Sequence, residues 1–254
     1  MSRALLPAVG VRSRARAVPD VGALDRPAGP PAGRLQLGEL ASPLAATRLV
    51  AAVPRLVAAP PGDGHLVIDI PGWKAPELSG LPLRRYLRRR GYDARAWGFG
   101  TNRGDTRADV DRLSARVVEL VEASGGPASL VGWSLGGVIA REVARRHPEA
   151  VRRVITYGTP VVGGPTFTAA ARSFETSPDR DGWKLAERLD AESPIDVPLT
   201  VMFSRRDGVV SWQACLDRTS PVAEHVEVFS THVGMGVDPD VWAVVADRLA
   251  RAVG

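Results

Sequence analysis

The stretch ASLVGWSLGGVIARE, residues 128 to 142, decides the fold. An apolar run typical of a buried strand stops at Gly132, and a helical pattern begins after Ser134. Between them GWSLG fits G-x-S-x-G, in which the flanking glycines allow a tight strand-to-helix turn that exposes the serine hydroxyl. The same letters also occur by chance in glycine-rich turns. The strand before the motif and the helix after it favour a nucleophile at Ser134.

Strands and helices alternate on both sides of this turn. HLVIDI (65–70) and YDARAWGF (92–99) are typical of strands before it, and VRRVITYG, LTVMFS and HVEVFS of strands after it. Helical patterns separate most of them, and another closes the chain. This alternation predicts an α/β fold: a three-layer sandwich around a mostly parallel sheet of about six strands. Because ligands bind beyond the carboxyl ends of such strands, functional residues are expected just after strands.

A serine nucleophile needs a base, and the base needs an acid that orients it. His232 follows the last predicted strand, whereas the other three histidines stand in strands or at a helix end. Asp207 follows the strand before it. The alternative acids are Asp196, which precedes its strand, and Asp217, in a short helix predicted beyond the strand. The chain order Ser134, Asp207, His232 is the order of the nucleophile-elbow hydrolases.

Five sequence blocks resemble the α/β-hydrolase superfamily, and within it the bacterial esterases and lipases. They are VIDIPGW, LVGWSLGGVIARE, TYGTP, FSRRDGVVSWQACLD and STHVGMG, and the resemblance covers about residues 60–253. It implies hydrolysis of carboxylic esters through an acyl-enzyme intermediate. The implied oxyanion hole consists of the backbone N–H groups of Leu135 and Trp73. The family usually has His-Gly-aromatic where this chain has Pro71-Gly72-Trp73.

A long irregular segment, about 161–197, separates two predicted strands. Its length predicts a short cap insertion over the site. Phe167, Phe174 and Trp183 lie in this segment, and Trp133 precedes the serine. These four side chains are predicted to bind an apolar acyl group. Alternatively, the three aromatics of the cap only anchor it to the domain.

The remaining chain divides into three parts. Residues 1–33 are rich in Pro, Gly, Ala and Arg without periodicity, which predicts a disordered N-terminal tail. Residues 34–59 predict a helical arm, broken or kinked at Pro54. Its apolar face would pack on the main domain, on a second copy of the chain, or peripherally on a membrane. Residues 60–254 form the predicted hydrolase domain.

Composition narrows the classes of function. The net charge is +5 over 254 residues, but the arginines that carry it are scattered, which argues against a nucleic-acid groove. We expect no metal and no cofactor, because neither a ligand cluster nor a nucleotide fingerprint appears. The single cysteine, Cys215, allows no internal disulfide. With no cleavage site or membrane-spanning stretch in the sequence, a cytoplasmic location is expected.

The expected substrate is a small-molecule or lipid ester. Other functions remain open at this stage. A thioesterase or acyltransferase would use the same Ser134, Asp207 and His232. A serine peptidase would too, although nothing in the sequence anchors a peptide terminus. The chain could also be a non-catalytic binding protein that keeps the hydrolase fold and recruits a partner through its arm.

Overall fold

A single sheet of seven strands organises the chain. The computed structural model describes residues 13–172 and 180–252. The strands are β1 (Arg16–Val18), β2 (Leu66–Ile70), β3 (Asp93–Ala96), β4 (Ala128–Trp133), β5 (Val151–Tyr157), β6 (Leu199–Phe203) and β7 (Ala223–Glu227). Their order across the sheet is β1-β7-β6-β5-β4-β2-β3.

Six of these strands are parallel, which confirms the mostly parallel sheet predicted from the sequence. The seventh strand, β1, pairs antiparallel with β7, so that Val18 lies opposite His225. The structure differs from the sequence prediction here, because β1 falls within the predicted disordered tail. Three residues followed by Pro19 are too few to show a strand period. The pairing edge that β7 offers is a tertiary feature.

Helices cover both faces of the sheet. The described helices are α1 (Gly33–Gly38), α2 (Pro43–Val57), α3 (Leu81–Arg89), α4 (Thr106–Ser124), α5 (Leu135–Arg146), α6 (Arg180–Glu192) and α7 (Pro239–Leu249). On one face, the core joins side chains of β2 and β4 to residues such as Leu113 of α4 and Ile139 of α5. On the other face, Leu87 of α3 and Trp242 of α7 belong to a second core cluster.

The N-terminal arm, defined as α1, the 3₁₀ turn Glu39–Ala41 and α2, packs on the second face. Of the two alternatives predicted for Pro54, a break or a kink, the break is wrong, because helix α2 continues through Pro54 to Val57. The chain instead bends by 63° between the segments Gly33–Ala41 and Ala45–Val57. Pro43 explains this position, because a proline at the first turn of a helix is tolerated but cannot continue a preceding one.

Side chains of the arm are divided between the core and the surface. Ala52 and Leu56 are buried, whereas Val50 is 76% exposed. No single described helix is long and apolar enough to cross a membrane. Taken together, the two segments of the bent arm have a length and composition that would allow a membrane span. This is weak evidence, because buried core helices meet the same criteria.

The insertion between β5 and β6 contains a 3₁₀ turn, Gly164–Phe167, and helix α6. Thr168 forms an isolated bridge with Val210, which lies in the loop after β6. Helix α6 is tied to α5 by Asp190, whose carboxylate accepts hydrogen bonds from Arg141 at 2.6 Å and Arg145 at 2.5 Å. These contacts hold the described parts of the insertion against the domain.

Candidate active site

Ser134 stands at the turn between β4 and α5. Its backbone has φ 52° and ψ −123°, a conformation that a residue with a side chain rarely adopts. Such a backbone costs about 1–3 kcal/mol and persists only where the surroundings enforce it. The Ser134 N–H donates to the carbonyl of Tyr157 at 2.9 Å, which fixes the turn to the end of β5. The side chain is thereby held at the carboxyl edge of the sheet, at the N-terminus of a helix.

The glycines of the motif are required by close backbone approach. A Cβ at Gly132 would lie 2.5 Å from the carbonyl oxygen of Gly136. A Cβ at Gly136 would lie 2.3 Å from the carbonyl oxygen of Ile70, at the end of the neighbouring strand β2. These contacts are with main-chain atoms, which cannot move aside as a flexible side chain can. The pattern G-x-S-x-G therefore reflects the crossing of α5 over β2 and β4.

His232 and Asp207 form a buried pair in the loops that follow β7 and β6. The Nδ1 atom of His232 lies 2.7 Å from Oδ2 of Asp207. The second oxygen of Asp207 accepts hydrogen bonds from the N–H groups of Val209 at 2.8 Å and Val210 at 2.7 Å. His232 is 3% exposed and Asp207 2%. A carboxylate held in this way fixes both the orientation of the imidazole and the nitrogen that carries its proton.

The charge on His232 is governed by its surroundings. Burial alone would lower the pKa of the imidazole, but the Asp207 carboxylate, by charge and hydrogen bond, and the Glu39 carboxylate, by charge, raise it above its usual value. The net shift is upward. The site thus stabilises an imidazolium, the form that His232 would take after accepting a proton.

Two contacts place this pair next to the serine turn. The ring of Trp133, the residue before Ser134, lies 5.4 Å from the ring of His232. Gly158 follows Tyr157, the acceptor of the Ser134 N–H, and a Cβ on Gly158 would lie 2.9 Å from Nδ1 of His232. The structure therefore brings the three residues predicted from the sequence to the carboxyl ends of β4, β6 and β7, at one edge of the sheet.

The alternative acids lie in other surroundings. Asp217 accepts from Arg141 at 2.7 Å and from the N–H groups of Thr219 and Ser220. Although burial opposes ionisation, this arginine and these N–H groups lower the pKa of Asp217 to about 2. Asp217 follows the 3₁₀ turn Trp212–Cys215 and is not inside a helix as predicted. Asp196 is exposed, just before β6. Asp207 is thus the acid that meets His232.

The loop after β2 passes directly beside Ser134. A Cβ on Gly72 would lie 3.1 Å from Cβ of Ser134, so the peptide that leads to Trp73 borders the serine. The buried Asn102 holds this loop: its Nδ2 donates to the carbonyl of Pro71 at 2.8 Å, and its backbone carbonyl accepts from the N–H of Lys74 at 2.7 Å. Sequence reasoning missed Asn102, because an asparagine in a polar loop carries no distinguishing signal.

The four predicted substrate-binding aromatics are distributed differently. Trp133 lines a cavity next to the site. Phe167 packs in the third core cluster, beside Val210 and Leu216. Trp183 is in helix α6, but its side chain lies outside the described residues, and Phe174 lies outside them altogether. The structure thus places one of the four beside the histidine.

The cavity that Trp133 lines has a volume of about 520 Å³. Its walls are mostly apolar and come from the arm, the ends of β2, β4 and β5, and the loop after His232. The lining includes Leu40, Pro43, Ile70, Trp133, Tyr157, Val233 and Val237. Asp69 is the buried acid at its wall, where burial raises its pKa to about 6 against the opposing charge of Arg84, 2.5 Å away.

One further residue at the site was not predicted. Glu39 of the arm lines the same cavity and accepts hydrogen bonds from the backbone of the loops that carry Asp207 and His232. Its neighbours in the sequence, Gly38 and Leu40, form no functional motif around it. In the described part of the chain, no group of three or more His, Cys, Asp or Glu side chains is arranged to hold a metal ion.

The fold and site define the protein class. The chain belongs to the alpha/beta hydrolase family, whose family model matches residues 66–253. The arm, residues 33–57, precedes the matched region.

Curated relatives match shorter pieces. The chain is 36% identical to polyketide synthase ThaQ of Burkholderia thailandensis over 154 residues, 58% of this chain and 7% of that protein. It is 35% identical to the pimeloyl-[acyl-carrier protein] methyl ester esterase of Klebsiella pneumoniae over 72 residues, 28% of this chain and 25% of the enzyme. These matches span a quarter or less of the relatives' own lengths.

Solved structures share the fold at low sequence identity. One structure, described under the two metagenome-derived lipolytic enzymes LipS and LipT, gives a TM-score of 0.57 at 17% identity, and the match covers 75% of this chain and 93% of that one. A thioesterase domain from the curacin biosynthetic pathway gives a TM-score of 0.52 at 16% identity, and the match covers 74% of this chain and 92% of that domain. Mouse alpha/beta hydrolase domain-containing protein 10 gives a TM-score of 0.52 at 21% identity, and the match covers 74% of this chain and 90% of the mouse chain.

Proposed function

We propose that this protein is a serine hydrolase that cleaves carboxylic esters through an acyl-enzyme intermediate. The observation that carries the proposal is the placement of Ser134, in a strained turn at a helix N-terminus, beside the hydrogen-bonded pair His232–Asp207. Backbone strain of this kind clusters at functional sites, and at a half-buried serine it suits a nucleophile.

The reaction proceeds in two halves. His232 takes the proton of Ser134 through Nε2 as the serine oxygen attacks the ester carbonyl, and Asp207 stabilises the imidazolium at Nδ1. The imidazolium then protonates the leaving alcohol. In the second half, His232 activates a water molecule, which releases the acid and frees the serine. The raised pKa of His232 favours the ion that forms in each half.

The negative charge on the carbonyl oxygen requires hydrogen-bond donors. We assign these to the N–H of Leu135, at the start of α5, and the N–H of Trp73. The close contact between Gly72 and Ser134 supports the second assignment. Each donor contributes roughly 3 kcal/mol to the transition state in comparable sites. The α5 dipole adds to the field at this position.

The substrate is expected to carry an apolar acyl group. The cavity of about 520 Å³ beside Trp133 supports this, since most of its walls are apolar. Phe167, Phe174 and Trp183 remain predicted contacts of the substrate or anchors of the cap. A series of p-nitrophenyl esters with acyl chains of increasing length measures the preference directly.

Replacement of the nucleophile tests the proposal. Wild-type protein should hydrolyse p-nitrophenyl esters and react with a fluorophosphonate probe, and Ser134→Ala should abolish both. Ser124→Ala, at the exposed end of α4, is the matched control and should keep wild-type rates. Undiminished probe labelling of the Ser134→Ala variant would refute the assignment.

Thioester hydrolysis is the second candidate. The chain is similar in sequence to a polyketide synthase and to an esterase that acts on an acyl-carrier-protein ester. These similarities favour a substrate whose acyl group is attached to a carrier protein. The same three side chains would act, because a thioester presents the same carbonyl. Parallel assays with one acyl group as oxygen ester, coenzyme A thioester and carrier-protein thioester distinguish the two. A larger kcat/KM for either thioester would establish thioesterase activity.

A further inference from the structure

Glu39 connects the two loops that carry the proposed acid and base. Its Oε1 atom accepts hydrogen bonds from the N–H of Gly208 at 2.8 Å and from the N–H of His232 at 2.8 Å. Its Oε2 atom accepts from the N–H of Val233 at 3.0 Å. Gly208 follows Asp207 directly, so one carboxylate holds the backbone next to both partners of the His232–Asp207 pair.

The backbone of the arm packs closely against the loop that carries Asp207. A Cβ at Gly208 would lie 2.2 Å from the carbonyl oxygen of Leu35 in α1. The backbone of the arm therefore lies directly against the loop after β6. Only a glycine at 208 permits that approach, and the approach brings Glu39 within reach of both loops.

A second set of contacts anchors the arm around Glu39. The hydroxyl of Ser42 donates to Oε2 of Glu39 at 3.1 Å and lies 2.8 Å from the hydroxyl of Thr231, the residue before His232. Further along α2, Arg48 pairs with Asp238 and Asp240 at 2.7 Å, at the start of α7. Polar contacts thus tie the arm to the histidine loop on both sides.

We infer that Glu39 is a positioning residue for the hydrolase: it holds the Asp207 and His232 loops in the register that the proton transfer needs. Charged acceptors form stronger hydrogen bonds to backbone N–H groups than neutral ones do. A displacement of about 1 Å in a catalytic group costs on the order of 10²-fold in rate. Three charge-assisted bonds from one side chain are suited to preventing such a displacement.

Glu39 also acts on the imidazole by charge. Among the described residues, the charged groups that act on His232 are Asp207, in direct contact, and Glu39, and both favour the imidazolium. Removal of the Glu39 charge should lower the pKa of His232. The acidic limb of kcat/KM, where the imidazole loses its basic form, should then move to lower pH.

The experiment compares Glu39→Gln and Glu39→Ala with wild type in the full chain. The glutamine has the same shape and keeps one acceptor oxygen, but it loses the charge and an acceptor. We expect kcat to fall about tenfold in Glu39→Gln and about 10²-fold in Glu39→Ala, with KM nearly unchanged. In both variants, the acidic limb of kcat/KM should move to lower pH. Glu119→Gln, on the exposed side of α4, is the matched control and should leave both quantities unchanged.

The inference rests on the proposed function, and the same assays separate the two. Absence of turnover and of fluorophosphonate labelling in wild type would refute the proposed function. Turnover in wild type with unchanged kcat and an unmoved limb in Glu39→Gln would overturn the role of Glu39. Circular dichroism checks folding, and the isosteric glutamine variant decides the outcome if the alanine variant does not fold.

Discussion

The imidazole of His232 meets the carboxylate of Asp207 at 2.7 Å, and both side chains are buried. Asp207 is held in turn by two N–H groups of its own loop, from Val209 and Val210. The pair is therefore oriented before any substrate arrives. Preorganisation of this kind is what allows a hydroxyl to be activated at neutral pH.

The proposed mechanism predicts a pH dependence that follows from His232. It needs the neutral imidazole as base, and the pKa of this imidazole is raised above 6.5 despite burial, mainly by Asp207. Activity should therefore be lost as the pH falls through that raised pKa. We expect an acidic limb in kcat/KM with its midpoint above 6.5. A midpoint at or below that value would contradict the arrangement.

Asp207→Asn tests the orienting acid. The amide nearly preserves the shape, but it cannot stabilise the imidazolium, and it favours the wrong tautomer of His232. By comparison with the same change in a serine protease, kcat should fall by about 10⁴. Asp196→Asn, at an exposed position before the same strand, is the control and should have full activity. Equal rates in the two variants would exclude Asp207 from the mechanism.

Gly136→Ala tests the turn around the serine. The added methyl would lie 2.3 Å from the carbonyl oxygen of Ile70, so α5 must shift away from β2. Overpacking of this kind costs about 1–3 kcal/mol in the free energy of unfolding, and it should displace Ser134 and reduce kcat. Gly126→Ala meets no atom within 4 Å and is the control. Urea unfolding and ester hydrolysis measure both effects, and wild-type values in Gly136→Ala would contradict the close approach.

Arg141→Ala tests the buried ion pairs beneath the insertion. Arg141 bonds to Asp190 at 2.6 Å and to Asp217 at 2.7 Å. Its loss leaves the buried Asp217 carboxylate without its arginine, whereas Asp190 keeps its ion pair with Arg145. The expected cost is about 3–5 kcal/mol in the free energy of unfolding. Arg146→Ala removes an exposed pair with Asp111 from the same helix and should cost at most about 1 kcal/mol. Denaturant titration should find this difference, and similar costs would contradict it.

Acid should weaken the same structure through Asp217. Its pKa is lowered to about 2 from 3.8, chiefly by Arg141 against the effect of burial. A lowered pKa in the folded state means that the stabilisation is complete above pH 3.8 and is lost as the pH falls towards 2. In Asp217→Asn, this part of the acid dependence should disappear. Unfolding measured across that interval checks it, and an unchanged profile would exclude Asp217 as the source.

Val237→Phe tests the cavity as the acyl site. The larger side chain would occupy part of the cavity of about 520 Å³ beside Trp133. We expect kcat/KM to fall for long acyl chains and to stay near wild type for acetyl esters. Val222→Phe, 42% exposed, provides the control. A uniform loss across the chain-length series would contradict this assignment.

Local sequence patterns determined the turn at Ser134, the candidate site residues and most of the strands. The turn at Ser134 was predictable because a strand, a glycine-flanked serine and a helix follow each other within fifteen residues, and the glycines follow from backbone crossings at that turn. Asp207 and His232 were predictable as candidates because parallel strands bring their carboxyl ends to one edge of the sheet. The strands from β2 to β7 were predictable because each lies in a stretch with a local apolar pattern.

Contacts between distant segments decided the rest. Strand β1 exists because β7 offers it an edge. The arm bends next to Pro43, which begins α2, whereas Pro54 lies inside the same helix. Glu39 meets Gly208 and His232 across 169 and 193 residues of chain. No spacing or periodicity in the sequence records such a contact, because its energy depends on where three separate backbone segments meet in space.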